Sequence, residues 1–215
     1  WDKLAASYDA RTLKMYQAAY DRSVRKVCAA LTLEDRVLEL GCGTGIISLG
    51  IAHCAKTVVA TDLSAEMIAV AKRKAEQAGI TNITFEVHDG CTLPYESGSC
   101  DVVLAFNVLH FIEEPERMLR EAGRLLKPAG HLITATDCYA EPTPLLTRLG
   151  LGLQRLLVSL GVVPLMWYYE KAQLQMLIEE NGFEIIETED LHAVPVNHYV
   201  LARKKRRFDF SAPRQ

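Results

Sequence analysis

The chain reads as an α/β protein built on a doubly wound, mostly parallel sheet with helices on both faces, and three observations point there. First, short β-branched, nearly continuous apolar runs recur at 37–40 ("VLEL"), 57–61 ("TVVAT"), 83–87 ("ITFEV"), 101–106 ("DVVLAF") and 131–136 ("HLITAT"). Such runs suit strands covered on both faces. Second, amphipathic helical patterns lie between them. Third, a glycine-rich stretch, "LELGCGTGIISLG" at 38–50, follows the first run.

Each element has a local reason. The helix over 64–78 starts at Ser64 as N-cap, turns Met67, Ile68, Ala71 and Ala75 to one face and stops at Gly79. The helix over 115–126 has Pro115 in its first turn and Met118, Leu119, Ala122, Leu125 and Leu126 as its inner face, and "KPAG" ends it. Residues before Val37 read as an N-terminal helical segment, 1–32, with Tyr8-Asp9 in a loop or at a helix end. The stretch 145–160 reads as helical despite Gly150 and Gly152. A clearer helix over 170–180 closes at Asn181-Gly182. "FEIIETED" and "NHYVLARK" read as a final pair of strands joined near Pro195. With no internal repeat and no low-complexity linker, the chain reads as one domain, 1–215.

Composition narrows the function. The 215 residues suffice for a sizeable core, and 49% hydrophobic with 24% charged residues is an ordinary globular balance. A net charge of −3 argues against a nucleic-acid surface spread over the domain. No apolar run reaches the length of a membrane span, so integral membrane association is not expected, and no signal peptide is visible. The start at Trp1 rather than Met reads as a trimmed N-terminus. None of the six cysteines forms a C-x-x-C pair, and several sit in apolar runs. They read as free thiols in a reducing cytoplasm rather than a zinc site.

Gly41, Gly43 and Gly45 end the first strand and precede a helix, where backbone N–H groups face a ligand. The dinucleotide fingerprint G-x-G-x-x-G/A fails here, ending on Ile46 counted from Gly41 and on Ser48 counted from Gly43. The P-loop pattern fails too. Glu39 beside the loop would repel phosphates and welcome a cation. Asp62 ends the second strand, where a carboxylate can accept both ribose hydroxyls, and Asp89 ends the third in "VHDG". The ends of such strands open on one crevice. A nucleoside with positive charge and no phosphate fits, and S-adenosylmethionine is such a molecule.

Together, "VLELGCGTG", "ATDLS", "HDG" and "RLLKPAGHL" resemble a class I S-adenosylmethionine-dependent methyltransferase of the small-molecule type, over about 37–137. The resemblance implies a seven-stranded, Rossmann-like sheet whose last strand is antiparallel. It implies that Gly41, Cys42, Gly43 and Gly45 face the methionine portion with Glu39, that Asp62 with Leu63 holds the ribose, that Asp89 with Gly90 and Cys91 meets the adenine, and that Phe106 and Asn107 face the methionine amine. "NVLHFI" departs from the Asn/Asp-Pro-Pro-Tyr motif of relatives acting on exocyclic or amide nitrogens, which points to a small-molecule acceptor. S-adenosylhomocysteine would be the product.

Around this site, Tyr8 and Trp1 are candidates for closing over the cofactor, and His110 is the candidate general base. Tyr139, Glu141 and Trp167 are substrate-side candidates. The Leu-rich stretch 142–169 reads as a helical insertion forming a lid over an apolar acceptor pocket. "RKKRR" at 203–207 reads as a solvated run. Two other classes stay open: a nicotinamide-dependent reductase, and a catalytically silent S-adenosylmethionine-binding module.

Overall fold

The structure, a computed structural model, describes residues 1–142 and 166–206. Its strands are β1 (Arg36–Leu40), β2 (Thr57–Asp62), β3 (Ile83–Val87), β4 (Cys100–Phe106), β5 (Leu126–Cys138), β6 (Phe183–Ala193) and β7 (Val196–Lys204). Its helices are α1 (Ala5–Ala30), α2 (Ile46–Ile51), α3 (Ala65–Gln77), α4 (Pro115–Leu125) and α5 (Lys171–Glu180). The strands form one sheet in the order β3-β2-β1-β4-β5-β7-β6. All neighbouring pairs are parallel except those of β7, which runs antiparallel to both β5 and β6. The sequence order reverses at β1, between β2 and β4, and a crevice opens at such a switch point outside the carboxyl ends of the strands.

Alternate residues of β4 enter different cores. Val103 and Ala105 pack with α4 and α5 residues such as Met118, Leu119, Leu174 and Ile178. Val102, Leu104 and Phe106 pack on the other face with Ala19, Val27, Ile47 and Ile51 of α1 and α2. A smaller cluster joins α3 to β2 and β3 through Ile68, Ala71, Ala60 and Phe85. Burial on both faces explains why β4 reads as an unbroken apolar run.

Two elements differ from the sequence expectation, and a disulfide is added. β5 begins at Leu126 rather than His131: Leu126 already pairs with Cys100, and "KPAG" makes a kink with Ala129 at φ 62° before pairing resumes at His131 with Val102. The turn chemistry was real, but it interrupts a strand instead of preceding one. Tyr8 and Asp9 lie inside α1, not at a helix end. Cys28 and Cys54 form a disulfide, which corrects the reading of all six cysteines as free thiols. The end of α1 and the turn after α2 bring their Cα atoms to 5.5 Å, a separation that no spacing in the sequence reveals. The other four are free. No described helix is long and apolar enough to cross a membrane.

Helix α1 docks on α2 where Gly50 leaves room for Val24. A Cβ at Gly50 would stand 2.6 Å from Val24 Cγ2. Overpacking of this kind costs about 1–3 kcal/mol, more than the roughly 0.5–1 kcal/mol that Ala gains over Gly inside a helix. Gly50→Ala should therefore lower the urea midpoint despite its better helix propensity. A higher midpoint would show that α1 does not pack tightly there.

Candidate active site

The carboxyl ends of β1, β2, β4 and β5 and the inner face of α1 enclose one cavity of about 320 Å³. The glycine loop shapes its floor. Gly41 and Gly43 are in left-handed backbone, at φ 69° and 53°, which L side chains avoid. At Gly41 a Cβ would stand 2.4 Å from Val108 Cγ2, so this glycine serves close packing. At Gly43 a Cβ would meet nothing within 4 Å, and the residue lines the cavity. Cys42 and Thr44 line it as well. Gly45 does not: it precedes α2, and a Cβ there would stand 3.1 Å from Phe85.

Three acids expected from the sequence lie on the wall. Glu39 is 1% exposed and accepts a hydrogen bond from Ser48 Oγ. Burial, with the nearby Asp62 charge adding to it, pushes its pKa up to about 8 against the lowering effect of Ser48. Asp62 accepts from Gly43 N at 2.8 Å with one oxygen and from Ser64 N at 2.9 Å with the other. Asp89 accepts from Cys91 N at 2.9 Å and Thr92 N at 3.0 Å, and these backbone donors help hold its carboxyl below the usual range. Leu63, Phe106, Asn107 and Tyr8 also line the cavity. Gly90 and Cys91 stand behind Asp89 rather than on the wall: a Cβ on Gly90 would meet Met118 Cε at 2.7 Å.

His110 is on the wall, 1% exposed, and its Nδ1 has no hydrogen-bond partner among the described residues. Burial pushes its pKa down to about 3, so the imidazole is neutral. Trp167 is not on the wall. It is 42% exposed, its N–H donates to His110 O at 2.7 Å, and its indole Nε1 donates to Ile112 O at 2.7 Å. Glu141 accepts from Lys171 N at 2.8 Å and is absent from the wall. Most of the lid stretch, residues 143–165, lies outside the described residues. In the basic run, Arg203 pairs with Glu184, and Lys204 and Lys205 donate to Leu126 O and Glu179 O.

The structure adds a polar end to the cavity that sequence reading missed. Tyr8, Thr12, Tyr16 and Tyr20 form one stripe of α1 facing inward, a spacing of four legible in the sequence once α1 is extended through Tyr8. Asp137 near the end of β5 accepts from Asn197 Nδ2 at 2.7 Å and from Tyr139 Oη at 3.1 Å. Asn197 Nδ2 also donates to Asn107 Oδ1 at 2.7 Å. Asn107 itself has φ 52°, an unusual conformation for a non-glycine residue and one that marks functional sites. His192 completes this end, edge-on to Tyr16 with ring centroids 5.0 Å apart. No Lys or Arg lines the cavity among the described residues; its acidic residues are Glu39, Asp62, Asp89 and Asp137.

A bare glycine loop, strand-end acids and a switch-point crevice define a nucleoside-binding α/β enzyme site suited to a cationic ligand. The model of the methyltransferase domain family matches residues 38–134. The ubiquinone biosynthesis O-methyltransferase of Coxiella burnetii is 27% identical over 175 residues, covering 80% of this chain and 74% of that protein. The demethylmenaquinone methyltransferase of Clavibacter sepedonicus is 31% identical over 155 residues, 69% of this chain and 60% of that protein. Among solved structures, a chain of the complex between the Haloferax volcanii Trm112 methyltransferase activator and its methyltransferase has a TM-score of 0.79 at 17% identity, covering 95% of this chain and 97% of that one. YcgJ from Bacillus subtilis has 0.70 at 18%, covering 88% and 99%. At those identities the likeness is one of fold. Together these matches support a class I S-adenosylmethionine-dependent methyltransferase, with S-adenosylmethionine as the methyl donor.

Gly43 and Gly79 offer a matched pair for testing the loop. Both have positive φ, and neither Cβ would meet an atom within 4 Å, but only Gly43 lines the cavity. Gly43→Val and Gly79→Val should lose comparable stability from backbone strain. Only Gly43→Val should lose more than about tenfold in S-adenosylhomocysteine affinity, or about 1.4 kcal/mol. Equal affinities by calorimetry would remove Gly43 from the cofactor's path.

Proposed function

We propose that this enzyme methylates a small, neutral, partly apolar acceptor carrying a hydroxyl on an aromatic ring. The observation that carries the reading is the continuity of one cavity: the glycine loop and strand-end acids at one side, an aromatic wall with the Asp137 carboxylate at the other, and, among the described residues, no Lys or Arg to receive an anionic acceptor. The relatives' names support it, since one is an O-methyltransferase of ubiquinone biosynthesis and another a demethylmenaquinone methyltransferase. The donor fits the residues present. In this reading the Glu39 carboxylate and the bare Gly41–Gly43 backbone receive its cationic methionine portion, Asp62 and Leu63 its ribose, and Asp89 its adenine edge. Phe106, Asn107 and Tyr8 close around it. His110 offers its open Nδ1 as a hydrogen-bond acceptor to whatever lies beside it.

Bound S-adenosylmethionine supplies a methyl group on a positively charged sulfur. The protein's part is to align that group with the acceptor and exclude water. The segment 142–169, by its place in the sequence after β5, is assigned to the acceptor's cover, within a single domain of 1–215.

A panel of ring hydroxyls tests the acceptor class. With labelled S-adenosylmethionine, catechol should be methylated with a higher kcat/KM than the anionic 3,4-dihydroxybenzoate. The reverse order, or transfer to neither, would overturn the reading.

Glu39 generates a pH prediction. Its carboxyl sits near 8 in the free protein, so at neutral pH it is mainly protonated. A cation placed beside it favours the ionised form, so binding should release a proton and affinity should rise with pH toward that value. Titrations of S-adenosylmethionine at pH 7 in two buffers of different ionisation enthalpy should give different apparent enthalpies, and Glu39→Gln should shrink that difference. No buffer dependence would separate Glu39 from the donor.

A further inference from the structure

We propose that Asp137 is the proton acceptor of the methyl-transfer step: its carboxylate, fixed by Asn197 and Tyr139, binds the acceptor's hydroxyl and takes the proton as the methyl group arrives. The inference rests on the acceptor class proposed above and names the residue that serves it.

Four observations converge on this carboxylate. It lines the cavity, half-buried, near the end of β5. It is oriented by two donors, Asn197 Nδ2 at 2.7 Å and Tyr139 Oη at 3.1 Å, each on a different oxygen, which leaves lone pairs for a ligand. Asn197 ties it directly to Asn107 at the end of β4, so the base and the strand end beside the glycine loop form one rigid unit. Its surroundings are aromatic: Tyr16 and Tyr20 on α1 and Tyr139 just past β5 flank it, a wall suited to a ring.

The chemistry balances. A lone pair on the acceptor oxygen forms the new O–CH3 bond, the pair of the breaking S–CH3 bond stays on sulfur, and the O–H proton passes to an Asp137 oxygen. The sulfonium becomes a thioether, the carboxylate becomes neutral, and the proton then returns to solvent. Burial raises the Asp137 carboxyl above its ordinary value, against the lowering effects of Asn197, Tyr139 and the facing His192, and this makes it a better proton acceptor than an exposed aspartate. His110 is the weaker candidate. Its imidazole has no carboxylate partner to stabilise a positive charge, and burial disfavours one.

Two probes separate proton removal from binding. Catechol arrives with its hydroxyl protonated, whereas 4-nitrocatechol ionises near neutrality and at mildly alkaline pH needs no base. Asp137→Asn keeps one oxygen for Asn197 and presents its NH2 to the Tyr139 hydroxyl, which can accept instead of donate. It should lower kcat on catechol by roughly 10²–10⁴-fold, lower kcat on 4-nitrocatechol less than tenfold, and leave S-adenosylhomocysteine affinity and melting temperature near those of the wild type. Equal losses on both probes, or no loss on either, would overturn the role of Asp137 while leaving the acceptor class intact. Failure of the wild type to methylate either probe would overturn the acceptor class and this inference with it.

Discussion

Asp62 holds two pieces of backbone at once. One carboxylate oxygen accepts the Gly43 N–H and the other the Ser64 N–H, so the tip of the glycine loop and the start of α3 are both referred to the last residue of β2. The loop has little else to define it. Cys42 N donates to Thr61 O at 2.9 Å and Gly45 N to Cys42 O at 2.9 Å, while positive φ at its three glycines removes any regular ladder. The cavity floor is therefore bare where a ligand must approach closely, yet fixed. Ser64 adds its own order by capping α3 at Met67 N. The structural duty of this acid leaves room for the ligand role proposed for it, since each oxygen retains a lone pair.

Much of this was legible in the residues. The β-branched runs located β1 to β4 to within a residue or so, because strands buried on both faces leave an unbroken apolar signature. Ser64 and Gly79 bracketed α3, and the strand-end acids Glu39, Asp62 and Asp89 fall on one wall as the switch-point geometry requires. Three things were not legible. "KPAG" has turn chemistry in either context, and only pairing with β4 shows that it kinks a strand. The meeting of Cys28 and Cys54 depends on the docking of α1 against α2, which is tertiary information. Asp137 looks like any acid near a strand end until β7 places Asn197 beside it across the antiparallel register.

The tyrosine stripe shows a different kind of loss. Tyr8, Thr12, Tyr16 and Tyr20 recur every fourth residue, a helical period visible in the sequence. Assigning Tyr8-Asp9 to a helix end cut the stripe at its first member. Asp9 is in fact engaged within α1, accepting hydrogen bonds from Thr44 and from Lys74 Nζ, the latter at 2.6 Å. It pins the first turns of α1 to the glycine loop and to α3, and Asp2 adds a contact from Ser64. The polar residues that resembled a loop are the attachment points of a helix.

This attachment makes the two halves of the cavity physically separable. On the proposed reading the donor side is built from loop backbone and strand-end acids of the α/β repeat. The other side of the cavity, proposed to take the acceptor, is built from one face of α1, the end of β5 and the β6–β7 pair. Helix α1 is anchored at its far end by the Cys28–Cys54 bridge, the Val24–Gly50 contact and Lys26, which bonds Glu187 at 2.5 Å and Glu189 at 2.6 Å. Thr12 and Tyr16 line the cavity away from those anchors, whereas Tyr20 also packs with the α1–α2 core and accepts from Asn107 Nδ2. On the reading proposed above, one scaffold can present different acceptor walls to one methyl source, and the residues that choose the acceptor are to be sought on α1 and near the end of β5 rather than in the glycine loop.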